Sequence, residues 1–152
     1  MAPRGGWYGP PGVARNAWFD DYWERNERIK LYGLPTYIRG FRMQPDGFLA
    51  MWVDINEDHL PRRHVDRRFD LHMTLGKRQY YEQNGIPDSV VQECVNELNK
   101  RYAGTFRNIK VERVGHGGAA MFHKDEPLND DPLIDFLYSN GGDWKEHLHI
   151  SL

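Results

Sequence analysis

Apolar residues recur at helical spacing in the middle of the sequence. Residues 88–103 carry one apolar stripe, made of Val90, Val91, Cys94, Val95, Leu98 and Tyr102. Apolar positions three and four residues apart predict an amphipathic helix, and Gly104 is a typical helix stop. Ser89 and Gln92 have the spacing of a capping box, so we expect Ser89 to cap this helix.

Other segments follow strand or turn patterns. Residues 36–43 and 48–55 are rich in β-branched and aromatic side chains, and Gln44-Pro45-Asp46-Gly47 between them is a strong turn signal, so we predict a hairpin. The remaining predictions are helices from Asn16 to the Gly33–Pro35 stop and over 132–138, strands at 69–75, 105–114, 119–123 and 146–152, and a surface loop at 56–68. This mixture indicates an α+β fold.

The length of 152 residues fits one domain. Residues 1–15 are rich in Gly and Pro, so we expect a flexible lead followed by a single domain over 16–152. No stretch approaches the roughly 20 apolar residues that span a bilayer, and the N-terminus lacks the apolar segment of a signal peptide. We therefore expect a cytoplasmic or nuclear protein with no membrane partner, and a monomer.

Charge and cysteine content narrow the function classes. The chain has 20 Lys and Arg against 22 Asp and Glu, a formal net charge of -2. This balance argues against a broad non-specific nucleic-acid coat but allows a small basic cleft. The single cysteine, Cys94, excludes an internal disulfide and a cysteine-based zinc site, and it fits a reducing compartment.

One five-residue pattern occurs twice. Leu71–Leu75 reads Leu-His-Met-Thr-Leu, and Leu148–Leu152 reads Leu-His-Ile-Ser-Leu. The copies start 77 residues apart, about half the chain, which favours a duplicated lobe. With seven His and six Ser plus Thr, His-x-Ser/Thr is expected by chance only roughly 0.3 times. Two copies, each flanked by Leu on both sides, therefore point to a shared role.

The spacing gives this pattern a chemical meaning. Side chains two residues apart on a strand share a face, so His72 pairs with Thr74 and His149 with Ser151, while the apolar residues take the other face. A hydroxyl can donate to a phosphate oxygen. One neutral imidazole can take a proton from the attacking oxygen, and one protonated imidazole can give a proton to the leaving oxygen. This chemistry needs no metal or other cofactor.

The two motifs resemble the paired His-x-Thr/Ser signatures of the two-histidine phosphoesterase superfamily, which includes cyclic nucleotide phosphodiesterases and RNA 2′-5′ ligase-like proteins. The resemblance rests on about ten residues. It implies a two-lobed, duplicated antiparallel-sheet fold with helices on the outer faces and a central cleft. It also implies metal-independent hydrolysis of a 2′,3′-cyclic phosphate or a related RNA or nucleotide phosphodiester. His72 and His149 would be catalytic, and Thr74 and Ser151 would bind phosphate. Typical members carry a further strand after the second motif, which leaves the strand order open.

Further side chains near the motifs are candidate substrate contacts: Lys77, Arg78, Tyr80, His116, Phe122 and His147. Arg62, Arg63, Arg67 and Arg68 precede the first motif and either hold flanking phosphates or form a solvated loop. Aromatic candidates for base stacking are Trp52, Tyr80, Tyr81 and Phe122, with burial in the core as the alternative.

Two other interpretations remain open at this point. Asp70-x-His72 and His147-x-His149 place potential ligands on alternate strand positions, which is compatible with a zinc site. The same cleft would also serve a non-catalytic module that binds an RNA end or a nucleotide. The presence of both complete motifs favours the enzyme, because binding alone needs no matched acid and base.

Overall fold

A computed structural model describes residues 26–60, 70–114, 119–142 and 148–151 and has an α+β fold, as predicted. Within these ranges the chain runs through α1 (26–32), β1 (Leu34–Met43), β2 (Phe48–Asp54), β3 (His72–Lys77), α2 (Arg78–Gln83), α3 (Asp88–Tyr102), β4 (Thr105–Ile109), β5 (Val111–Val114), β6 (Ala119–Phe122), α4 (Pro132–Gly141) and β7 (His149–Ser151). The predicted lead at 1–15, the start of the first predicted helix and the four arginines at 62–68 lie outside the described residues.

The described strands form one seven-stranded sheet in the order β4-β1-β2-β3-β7-β6-β5. Every neighbouring pair is antiparallel. The two motif-bearing strands, β3 and β7, are neighbours near the middle of this sheet. The two halves suggested by the sequence repeat therefore meet along the motifs themselves and are parts of one continuous sheet.

The prediction of a single strand over 105–114 is wrong. The chain forms β4 and β5, which lie at opposite edges of the sheet and are separated only by Lys110. The backbone of Lys110 leaves the strand pattern because its N–H donates to Glu126 Oε1 (3.0 Å) and its carbonyl accepts from His123 N (2.8 Å). Since consecutive Cα atoms lie about 3.8 Å apart, the two edges approach each other at this residue, and the sheet must be strongly curved.

One face of the sheet forms the core, to which every strand contributes. Its buried side chains include Leu34, Ile38, Met51, Val53, Met73, Ile109, Val111, Ala120, Phe122 and Ile150. Helix α3 packs on β1 and α4 packs on β3. The predicted stripe of α3 is confirmed, since its buried residues are Val91, Cys94, Val95 and Leu98. No helix within the described ranges has the length and apolarity to cross a membrane.

Two helix starts differ in how they are capped. The expected capping box on α3 is wrong, because the helix begins at Asp88 and Pro87 occupies the cap position without a side-chain hydrogen bond. The carbonyl of Pro87 instead accepts from Val90 N at 3.0 Å, which leaves Ser89 inside the first turn. Helix α4 has a side-chain cap, because Asp131 accepts from the backbone N–H groups at its start.

The predicted hairpin between β1 and β2 is confirmed and connects to the first motif. Its turn is closed by Gln44 N donating to Phe48 O (2.7 Å), and Gly47 has a φ of 93°, which favours glycine. The carbonyl of Gly47 accepts from Arg78 N at 2.8 Å. This bond joins the turn to the end of β3, so the hairpin and the motif strand form one unit.

Candidate functional site

The register of β3 against β7 brings the two motifs together. His72 lies directly opposite Ser151. Continuing this antiparallel register places Thr74 opposite His149. Cross-strand partners project to the same face of a sheet, so all four polar side chains share one face, and each histidine faces the hydroxyl of the other motif.

Burial along both strands follows the alternation expected from the motifs. His72, Thr74, His149 and Ser151 are half-buried, whereas the apolar positions between and beside them are buried: Leu71, Met73, Leu75, Leu148 and Ile150. The apolar face meets the helices, so the histidines occupy the opposite, accessible face. We refer to this surface as the polar face of the sheet.

The two histidines are diagonal neighbours across the β3–β7 pair. Diagonal positions in an antiparallel pair have Cα atoms about 7–8 Å apart, against about 4.5–5.5 Å for residues directly opposite. Imidazoles on such a diagonal can approach one small group from two sides. The hydroxyls of Thr74 and Ser151 occupy the other diagonal of the same rectangle.

The imidazole of His72 is held in one orientation. Its Nδ1 lies 2.8 Å from the carbonyl oxygen of Asp70. A carbonyl can only accept, so Nδ1 carries a proton and the neutral ring keeps its lone pair on Nε2. The ring also contacts Trp52, with 4.9 Å between centroids, and the Phe48 ring meets it edge-on at 5.2 Å. Nε2 is therefore the atom of His72 that is available for proton transfer.

The neighbouring strands extend this arrangement. On β2, Trp52 lies opposite His72 and Ala50 opposite Thr74. On β6, Ala119 lies opposite Ser151 and Met121 opposite His149. Each hydroxyl thus has an alanine on its outer side, and each histidine has a large side chain. Ala50 beside Thr74 is fully buried, whereas Ala119 beside Ser151 is half-buried.

Some of these neighbours were missed at the sequence level. Trp52 was named as a stacking candidate, and it does lie against His72. Phe48 and Met121 were not singled out. A signal for Phe48 exists in the alternation of Phe48, Ala50 and Trp52 along β2, but the pairing of β2 with β3 and of β6 with β7 is needed to connect these positions to the motifs.

The other predicted contacts fall into different environments. Lys77 is exposed and lies opposite Phe48, near the site. Arg78 is half-buried at the start of α2, and its Nε lies 3.6 Å from Asp88 Oδ1, so it has an intramolecular ion-pair partner. Tyr80 is half-buried on the same helix. His116 and His147 lie outside the described residues.

Two aromatic candidates belong to the core. Phe122 is 1% exposed and lies opposite Val111 on the apolar face, so the prediction that it contacts substrate is wrong. Side chains alternate between the two faces along β6, and Met121, one residue earlier, lies on the polar face. Phe122 therefore lies on the apolar face. Tyr81 is also fully buried and donates its hydroxyl to Leu137 O at 3.0 Å. Burial raises the pKa of Tyr81 well above its usual range.

The zinc interpretation finds no support from the contacts of the first motif, since the backbone carbonyl of Asp70 is what meets His72 Nδ1. The described ranges contain no group of three or more His, Cys, Asp and Glu side chains with the geometry to hold a metal ion.

Comparisons with protein-family models, curated proteins and solved structures found no match. The functional argument therefore rests on the motifs and their geometry.

Proposed function

We propose that this protein is a phosphodiesterase in which His72 and His149 act as a paired general acid and base on a 2′,3′-cyclic phosphate or a related RNA or nucleotide phosphodiester. The observation that carries the proposal is the β3–β7 register, with His72 opposite Ser151. It gathers both motifs into a single rectangle of two imidazoles and two hydroxyls.

The rectangle supplies each group that the reaction needs. Hydroxyls of Thr74 and Ser151 donate hydrogen bonds to the non-bridging phosphate oxygens. One neutral imidazole takes a proton from water as the new P–O bond forms. The other, protonated imidazole gives its proton to the ribose oxygen as the P–O bond to that oxygen breaks. Both proton transfers are provided by side chains, so the reaction has no requirement for a metal.

The identity of the leaving oxygen decides which histidine is the base. Ring opening gives a 2′- or a 3′-phosphate according to which ester oxygen faces the protonated imidazole. The hydrogen bond to Asp70 fixes Nε2 of His72 as the reactive atom in either role. Each well-placed proton transfer is worth on the order of 10²–10⁴ in rate.

The test is turnover of 2′,3′-cyclic AMP and of 2′-5′ diadenylate in EDTA, followed by chromatography. We expect His72→Ala and His149→Ala each to lose about 10²–10⁴-fold in kcat. The double variant should lose little more, because residues that act as a unit are not additive. His59→Ala is a matched control, since His59 lies outside the sheet, and it should turn over like the wild type.

Three outcomes separate the interpretations. Turnover that persists in both single variants, with circular dichroism showing native folds, would refute the acid–base pair. Tight binding of the nucleotides by the wild type with no product would replace the enzyme with a binding module. Loss of turnover by His59→Ala to the same degree would show that the assay reports folding and not chemistry.

A further inference from the structure

An aromatic pair lies at the β4 edge of the sheet. Tyr37 on β1 and Phe106 on β4 are cross-strand partners, and their ring centroids are 5.0 Å apart. Phe106 is 77% exposed, more than any other large apolar side chain described. Contiguous exposed apolar patches commonly mark binding surfaces, and the Tyr37 ring beside Phe106 makes this a patch of two rings that can act as a stacking platform.

Register pairs connect this platform to the polar face that carries the motifs. Tyr37 lies opposite Asp54. Trp52 is two residues before Asp54 on the same strand, so it shares that face. Trp52 in turn lies opposite His72. The Tyr37–Phe106 platform and the histidine motifs therefore lie on one side of the same sheet.

Two arginines on β1 contact Trp52 and Asp54, which connect the platform to His72. The guanidinium of Arg42, which is exposed, lies 5.3 Å from the centroid of the Trp52 ring. Arg39 Nε lies 3.2 Å from Asp54 Oδ1, so part of its charge is offset and Arg42 is the stronger candidate for a phosphate. Alternation of aromatic rings and guanidinium groups is the chemistry that binds single-stranded nucleic acid, through base stacking and phosphate contacts.

The distance involved sets the size of the ligand. Phe106 and His72 are three strand spacings and two residues apart, which amounts to about 16 Å along the sheet. Stacked nucleotides advance about 3.4 Å each, so about five are needed to cover this distance, and fewer in an extended strand. A single nucleotide cannot occupy both ends.

We propose that the polar face binds a single-stranded nucleic acid several nucleotides long, with its phosphodiester at the histidine motifs and a distant base on the Tyr37–Phe106 platform. This deepens the proposed function and rests on it for the place of the phosphodiester. It makes an oligonucleotide end, and not a free cyclic mononucleotide, the preferred substrate. Trp52 and Arg42 then bridge the two ends of the bound strand.

Binding can be measured without turnover by using fluorescein-labelled 2′-O-methyl oligonucleotides, which cannot form a 2′,3′-cyclic phosphate. Fluorescence anisotropy should show that an octamer binds more tightly than a dimer. Phe106→Ala should weaken the octamer on the order of tenfold, and Phe106→Trp should retain its affinity. Arg42→Gln should reduce the salt dependence of octamer binding by a slope of about one. Tyr32→Ala is the matched control, because Tyr32 is an equally exposed aromatic residue, 72%, on α1, and it should leave octamer binding unchanged.

Equal affinity for dimer and octamer, or wild-type octamer binding by Phe106→Ala, would overturn the proposal. So would a change in sedimentation of Phe106→Ala with no change in oligonucleotide affinity, since the patch would then join two copies of the chain. The result is independent of catalysis. Phe106-dependent binding without turnover of any substrate would refute the enzyme and keep the strand-binding face, whereas turnover with length-independent binding would do the reverse.

Discussion

Asp131 at the start of α4 offers a quantitative test of the fold. Its Oδ1 accepts from Leu133 N (2.9 Å) and Ile134 N (3.3 Å), and its Oδ2 accepts from the Tyr102 hydroxyl (2.6 Å) and Arg101 Nη1 (3.4 Å). Burial acts to raise the pKa of Asp131, but the hydrogen bonds from Tyr102 and the two backbone N–H groups, together with Arg101, outweigh it and hold the pKa below its usual value.

Two substitutions separate the parts of this arrangement. Asp131→Asn keeps the helix-cap acceptor and replaces the charged oxygen with an amide, whereas Asp131→Ala removes both. A hydrogen bond to a charged group contributes about 1.5–3 kcal/mol and a helix cap about 1 kcal/mol. We therefore expect losses of about 2 kcal/mol for Asn and about 3 kcal/mol for Ala. At roughly 3 °C per kcal/mol for a chain of this size, Tm should fall by about 6 and about 9 °C.

The pH dependence provides the sharper check, by urea unfolding followed through circular dichroism. A carboxyl whose pKa is lowered in the folded state adds stability above its unfolded pKa, near 3.9, and this stability is lost as pH falls through the folded pKa. The gap between wild type and Asp131→Asn should thus be complete at pH 7 and shrink below about pH 4. A gap that is absent at pH 7, or constant down to acid unfolding, would refute the reasoning.

Three further outcomes follow from the core and the site. Gly141→Ala would place a Cβ in steric clash with Cζ and Cε1 of Tyr81 and should cost about 1–3 kcal/mol in urea unfolding. Trp52→Phe removes an Nε1 donor that has no acceptor among the described residues, so turnover should stay within a few-fold, whereas Trp52→Ala should lower kcat by releasing the His72 ring. Burial and the hydrogen bond to Asp131 raise the pKa of Tyr102 to about 12. The contribution of Tyr102 to the free energy of unfolding should therefore be complete below pH ~10 and be lost as pH rises from there through about 12. Tyr102→Phe should abolish this loss.

Short sequence patterns predicted the elements whose formation depends on residues nearby in the chain. The stripe of α3, the turn at 44–47 and the two-residue period of the first motif each depend on neighbours within one or two turns of chain, and each is present in the structure. The capping box failed because Pro87 takes the cap position, two residues before Ser89. The break at Lys110 could not be foreseen, because its causes are Glu126 and His123, which reach it only in the folded chain.

The candidate site shows the same division more clearly. Both motifs are visible in the sequence, but no short sequence pattern predicts that β3 and β7 are neighbours. Their pairing is selected by burial of the apolar face, since Met73 and Ile150 enter one core only when the strands lie side by side. Once that register exists, the polar side chains between the apolar positions meet as a consequence. The role of Phe48 depends on a second pairing, of β2 with β3, and was missed for that reason.

Antiparallel pairing of two copies of one motif creates a local twofold arrangement, visible as two rows across four strands: Trp52, His72, Ser151, Ala119 and, in reverse order, Met121, His149, Thr74, Ala50. A phosphate can lie on this local twofold axis, but a nucleotide has no twofold symmetry and must extend to one side of it. The outer positions break the symmetry, because Trp52 offers an aromatic ring that lies against His72, whereas Met121 offers no ring. We therefore expect the base next to the reacting phosphate to lie on the His72 side, in the direction of Tyr37 and Phe106. A nucleotide placed on the Met121 side would leave that aromatic surface without a ligand.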